Sequence, residues 1–135
     1  MKMLALALSG LVCLAVNPFG ASAADASSRK SRNISVEDAA KLLQEKKDIV
    51  VLDVRTPDEF KDGHIPGAKN LDFNGKDFKG EVGKLDKDKT YLVHCAAGGR
   101  SARANKVMQD LKFKSVLHLN EGFNGWEEKK KPIEK

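Results

Sequence analysis

Cys95-Ala96-Ala97-Gly98-Gly99-Arg100, with Ser101 directly after, places a thiol, a run of backbone amides, a guanidinium and a hydroxyl in one short loop. The apolar run Tyr91-Leu92-Val93-His94 enters it and a helix-like pattern leaves it. Successive N–H groups closing on the first turn of a helix gather partial positive charge at one point. A cysteine held there, of ordinary pKa about 8.5, is drawn toward or below neutrality. The expected chemistry is that of a charged sulfur nucleophile in an anion site. Ala96, Ala97, Gly98 and Gly99 would supply amides, the two glycines because a side chain would obstruct the inward turn. Arg100 has two readings: a fork of donors for an oxyanion, or a helix-start residue pairing with a carboxylate. Ser101 would either donate to the Cys95 sulfur or act as a plain N-cap.

This loop needs a strand before it and a helix after it, and the chain alternates the two. Ser35 followed by Asp38 resembles a capping box, and Val36, Ala39, Ala40 and Leu43 fall on one face of a helix of about three turns. Ile49-Val50-Val51-Leu52 is a continuous apolar run of the kind found in a strand covered on both faces. Thr56-Pro57-Asp58-Glu59 reads as an N-cap, a proline at N1 and acids in the first turn. A brief strand is expected around 68–71, and a short irregular helix within 74–89 holding Phe78, Val82 and Leu85 inward. The next strand is 91–94, followed by a helix with Ala104, Val107, Met108 and Leu111 inward, and 115–119 forms the last strand. The fold class is therefore α/β, a parallel sheet with helices on both faces and the ligand site at the strand C-termini.

Several residues invite chemistry and carry a plainer reading. Adjacent strand residues point to opposite faces, so His94 is expected to be packed or at the surface instead of paired with Cys95. Asp53 and Arg55 end a strand near the same sheet edge, and a salt bridge between them is expected in place of direct catalysis. His64 is expected to brace a turn, and Phe123 and Trp126 to be core. The three histidines and the cysteine have no metal-ligand spacing, so no metal is expected.

The chain has 135 residues, room for one domain. Met1-Lys2-Met3, the apolar residues 4–16 and Ala21-Ser22-Ala23 have the order of a cleaved signal peptide ending before Ala24; the apolar run is shorter than a bilayer span and is broken by Asn17, Pro18 and Gly20. Residues 24–32 then read as a flexible leader and 33–135 as the domain. Cys13 lies in the apolar run, so cleavage would leave Cys95 as the only cysteine and no internal disulfide. The expected location is periplasmic or secreted, with no stable membrane insertion after cleavage. The net charge of +5 favours small anionic substrates. Scattered lysines without interleaved aromatics argue against nucleic acid.

Cys-x-x-Gly-x-Arg-Ser, carried by Cys95, Gly98, Arg100 and Ser101, resembles the active-site loop of the rhodanese family of sulfurtransferases. Val51-Leu52-Asp53-Val54-Arg55-Thr56-Pro57-Asp58-Glu59-Phe60, Gly63-His64-Ile65-Pro66-Gly67-Ala68-Lys69-Asn70 and Leu119-Asn120-Glu121-Gly122-Phe123-Asn124-Gly125-Trp126 resemble three further family stretches in the right order, over about 34–133. Glu121 stands where the family usually has a second glycine, and Lys131 precedes Pro132 where glycine is common. The resemblance implies a rhodanese-like three-layer fold in a single domain. Cys95 would attack a donor such as thiosulfate, the loop amides would hold the persulfide, Arg100 would place the donor oxyanion, and Asp53 and Arg55 would brace the surroundings. A thiol or cyanide would accept the sulfur. It implies no external cofactor, and a monomer is expected. Two alternatives stay open: a phosphatase or arsenate reductase using a similar loop with one more residue between cysteine and arginine, or a persulfide carrier or sensor without turnover.

Overall fold

The computed structural model describes residues 31–135; the expected signal and most of the expected leader lie outside the described residues. Five strands, β1 (Arg32–Asn33), β2 (Val50–Asp53), β3 (Lys69–Asn70), β4 (Thr90–His94) and β5 (Ser115–His118), form one sheet in the order β1-β5-β4-β2-β3. Every pairing is parallel. Helices α1 (Val36–Glu45), α2 (Pro57–Asp62), α3 (Phe78–Gly83) and α4 (Gly99–Asp110) connect successive strands, and α5 (Gly122–Glu128) follows β5.

Alternation along the strands splits the core in two. Leu52, Val93 and Val116 pack with Val82 of α3 and Ala104 and Met108 of α4, whereas Val51, Leu92 and Leu117 pack with Val36 and Ala39 of α1 and Phe123 and Trp126 of α5. Two apolar layers on one sheet are what continuous apolar strands require, because neither face meets water. This is the expected three-layer α/β arrangement.

Arg32 pairs with Leu117 and Asn33 with His118, so the sheet takes in Arg32, which the sequence reading assigned to the leader. A two-residue strand has no period to read. Ser35 caps α1 by accepting from the Asp38 N–H, but the reciprocal half of the expected capping box is absent. The carboxylate that closes this end is Glu121 Oε1, accepting from the Val36 N–H at 3.1 Å and paired to Lys129 at 3.0 Å through Oε2. The residue that departs from the family pattern thus ties α5 to the start of α1. At α2 the reading from Thr56 and Pro57 holds, with a full capping box between Thr56 and Glu59. In the long stretch before β4, α3 is confined to 78–83, with Phe78 and Val82 buried and Leu85 partly buried. Among the described residues no helix is long and apolar enough to cross a membrane, and no cluster of side chains could hold a metal ion.

Candidate active site

β4 ends at His94 and the chain turns at once into the loop, so Cys95 lies at the C-terminal edge of a central strand, where a parallel sheet opens its ligand crevice. The thiol is buried, 1% exposed. The Gly98 N–H donates to Sγ at 3.0 Å and the Ser101 hydroxyl lies 3.4 Å from it. Burial alone would raise the thiol's pKa; donation from the Ser101 hydroxyl and from the Ser101, Gly98 and Ala97 backbone amides outweighs it, and the net shift is downward. Sγ is therefore the point where the donors converge, as the loop's composition implied.

Gly98 is the hinge of this arrangement. It sits at φ +104°, and a Cβ there would stand 2.5 Å from the Asn120 carbonyl oxygen. Gly99 is different: a Cβ would meet nothing within 4 Å. The expectation that both glycines are sterically required is corrected to Gly98 alone. Gly122, at φ +69°, seats α5 against the loop from the other side, where a Cβ would run into the Ala96 carbonyl oxygen. The Phe123 and Asn124 amides bond to the Cys95 and Ala96 carbonyls at 2.8 and 3.1 Å, which ties the start of the loop to α5 while the Gly98 N–H faces the sulfur.

Arg100, in the first turn of α4, pairs with Glu59 of α2, Nη1 to Oε2 at 2.8 Å and Nη2 to Oε1 at 3.1 Å. This is the carboxylate partner of the second reading of Arg100, and it sits beside the loop. The Arg100 hydrogen bonds, with further donors from Thr56, hold the Glu59 carboxyl down to about 2, against a smaller opposing effect of burial. Sequence reasoning saw Glu59 only as a first-turn acid.

Ser101 does not cap α4; Gly98 occupies the N-cap with no side-chain cap bond. Its hydroxyl reaches Sγ, the Gly98 carbonyl at 3.2 Å and His118 Nε2 at 2.7 Å. His118 Nδ1 in turn meets Asn33 Oδ1 at 3.1 Å. Neither His118 nor Asn33 carried a sequence signal. The register Val93↔His118, which sets the end of β5 beside the end of β4, is the signal that could have found the histidine.

Asp53 and Arg55 brace the next strand end as expected. Arg55 Nη2 lies 2.6 Å from Asp53 Oδ2 and 2.7 Å from the Gly63 carbonyl, with its guanidinium 4.1 Å from the Phe123 ring centroid. His94 is fully buried on the face opposite the thiol, and its Nε2, 3.8 Å from Asp53 Oδ2, has no hydrogen-bond partner. Burial holds its pKa down against the pull of Asp53. His64 braces its turn through Phe60, stacking on the ring and meeting the carbonyl at 2.8 Å.

A parallel sheet between two helix layers, ending in a six-residue loop from a buried thiol to an arginine, defines an α/β protein with a cysteine loop at its strand ends. The chain belongs to the rhodanese family, matching the Rhodanese-like domain over residues 35–129. It is similar to the thiosulfate sulfurtransferase GlpE of Shewanella oneidensis, 33% identical over 86 residues that cover 64% of this chain and 83% of that one. Among solved structures it is similar to a rhodanese-related protein from Thermoplasma volcanium, with a TM-score of 0.67 and 31% identity over 76% of this chain and 97% of that one. It is also similar to a Rhodopseudomonas palustris protein described as a possible tyrosine phosphatase, with a TM-score of 0.63 and 30% identity over 83% of this chain and 89% of that one.

Proposed function

We propose that the protein transfers a sulfane sulfur from a small anionic donor such as thiosulfate to cyanide or a thiol, through a persulfide on Cys95. The observation that carries this reading is the convergence on Sγ of the Gly98 amide at 3.0 Å and the Ser101 hydroxyl at 3.4 Å within a loop of six residues. The Cys95 thiolate attacks the outer sulfur of thiosulfate; the donor's sulfur–sulfur bond breaks and sulfite leaves with the electron pair. The new terminal sulfur carries the negative charge, and the donors gathered at Sγ lie one bond away from it, so the site holds positive partial charge close to where the charge develops. The acceptor then attacks that terminal sulfur and the thiolate departs. Dividing the transfer in two replaces one hard displacement by two easier ones. The burial of the thiol and the tightness of the loop favour a small donor over a phosphate monoester, whose tetrahedral group needs a wider cradle. The name of the GlpE relative supports the same donor.

Incubation with thiosulfate is expected to add one sulfur atom to Cys95, detected by intact mass, and cyanide to remove it as thiocyanate. Cys95→Ser should fold and do neither. Brisk hydrolysis of phosphate esters with no persulfide would replace this reading by the phosphatase one; a persulfide that no acceptor discharges would make the protein a carrier.

We further propose that residues 1–23 are a cleaved export signal and that the protein acts outside the cytoplasm as a monomer. Mass spectrometry of protein from the secreted or periplasmic fraction is expected to find Ala24 at the N-terminus. An intact Met1 on membrane-bound material would make the segment an anchor.

A further inference from the structure

The Ser101 hydroxyl has one proton and three acceptors around it: His118 Nε2 at 2.7 Å, the Gly98 carbonyl at 3.2 Å and Cys95 Sγ at 3.4 Å. Which of them receives it is set one residue further on. Asn33 Oδ1, an acceptor, faces His118 Nδ1 at 3.1 Å and assigns the neutral ring's proton to Nδ1. Nε2 then offers a lone pair, the hydroxyl donates to it, and the sulfur faces serine oxygen lone pairs. A second proton on the ring reverses this: Nε2–H donates to Oγ, and the serine proton is released toward the sulfur.

We infer that His118 is a positioning residue for the nucleophile of the sulfur transfer proposed above, its charge state deciding whether the Ser101 hydroxyl serves the imidazole or the Cys95 sulfur. A thiolate accepts the freed donor more strongly than a thiol does. The imidazolium of His118 and the thiolate of Cys95 therefore stabilise each other through Ser101. The same geometry gives the thiol proton a route: the S–H bond breaks as Ser101 Oγ takes the proton, and the serine's own proton passes to Nε2. Atoms and charge balance within the trio, leaving thiolate and imidazolium.

The surroundings fit this role. Asn33 faces the ring from β1 and Ser101 from α4, both uncharged, and Val93 is its register partner on β4. His64 and His94 each have a carboxylate within 4 Å, at 3.7 and 3.8 Å; among the described residues His118 has no such ion pair. Burial holds the His118 pKa below the ordinary value, against a smaller upward pull from the Gly98 backbone. The ring thus answers to a negative charge appearing at the sulfur, which turns the Ser101 proton back toward Sγ.

Coupling of this kind is reciprocal, so it can be read from either partner. The three imidazoles are followed by NMR across pH in the unmodified protein, Cys95→Ala and Ser101→Ala, and thiolate formation by the pH dependence of alkylation in the unmodified protein, His118→Gln and Ser101→Ala. Removing the thiolate is expected to lower the proton affinity of His118 about tenfold and leave His64 unmoved. His118→Gln should raise the proton affinity of Cys95 by the same factor. In Ser101→Ala the alkylation profile should lose its dependence on the imidazole, and the His118 titration should match that in Cys95→Ala. A His118 titration indifferent to Cys95, or full coupling surviving in Ser101→Ala, overturns the inference. None of these readouts needs turnover; loss of the sulfur-transfer reading would show separately, as the absence of a persulfide after thiosulfate.

Discussion

Arg100 reaches the loop already engaged. Its two terminal nitrogens are matched to the two oxygens of Glu59, so the anionic donor proposed above would meet a guanidinium whose charge is partly answered. Arg100→Ala is expected to raise KM for thiosulfate by tenfold or more with a smaller effect on an uncharged donor, since charge-assisted hydrogen bonds are worth about 1.5 to 3 kcal/mol. Glu59→Gln should act the other way, keeping one hydrogen bond and removing the carboxylate that repels the donor, with KM for thiosulfate falling about fivefold. Equal losses in both variants would mean that the pair only holds the loop's shape. The pair also has a pH signature. A carboxyl held near 2 contributes stability above its unfolded value of 4.5 that is lost as pH falls from about 4.5 toward 2. Because Glu59 is 39% exposed, that contribution is screened to about 1 kcal/mol. Acid denaturation of Glu59→Gln should lack this part of the slope.

The turn between β4 and α4 is held by a single glycine. Gly98→Ala forces a Cβ onto the Asn120 carbonyl at a left-handed φ, and a loss of about 1 to 3 kcal/mol in denaturant unfolding is expected together with loss of persulfide formation. Gly99→Ala, with open space around it, should keep both. At the other end of the fold, Glu121→Gly would restore the residue the family usually carries and remove the carboxylate that accepts from Val36; a lower denaturant midpoint should go with it, measured by denaturant unfolding. Such ties mark where reading from the sequence stopped. β2, β4 and β5 were legible because long apolar runs and turn residues bound them, and α2 because Thr56 and Pro57 announce a helix start. β1 was not, since two residues show no alternation. Within the site, Cys95, Gly98, Arg100 and Ser101 are consecutive enough to be seen as a loop, whereas Glu59, His118 and Asn33 arrive from other elements. Their positions follow from strand register and helix docking, which no local pattern encodes.

Asn33 and His118 are 85 residues apart, yet they meet in neighbouring parallel strands, and Glu121 bonds to Val36 over the same separation. The sheet's two edges, β1 and β3, are two residues each, short edges of the kind that resist strand-to-strand pairing with another chain. The order of assembly follows from the pairing. A chain emerging from the ribosome presents β1 and α1 first, but their partners are made at the far end, roughly 4 to 17 seconds later at ordinary synthesis rates. During that interval β1 lacks its strand partner and α1 lacks the carboxylate that caps it. The ring of serine, histidine and asparagine behind the thiol therefore closes only when the tail of the chain has met its head.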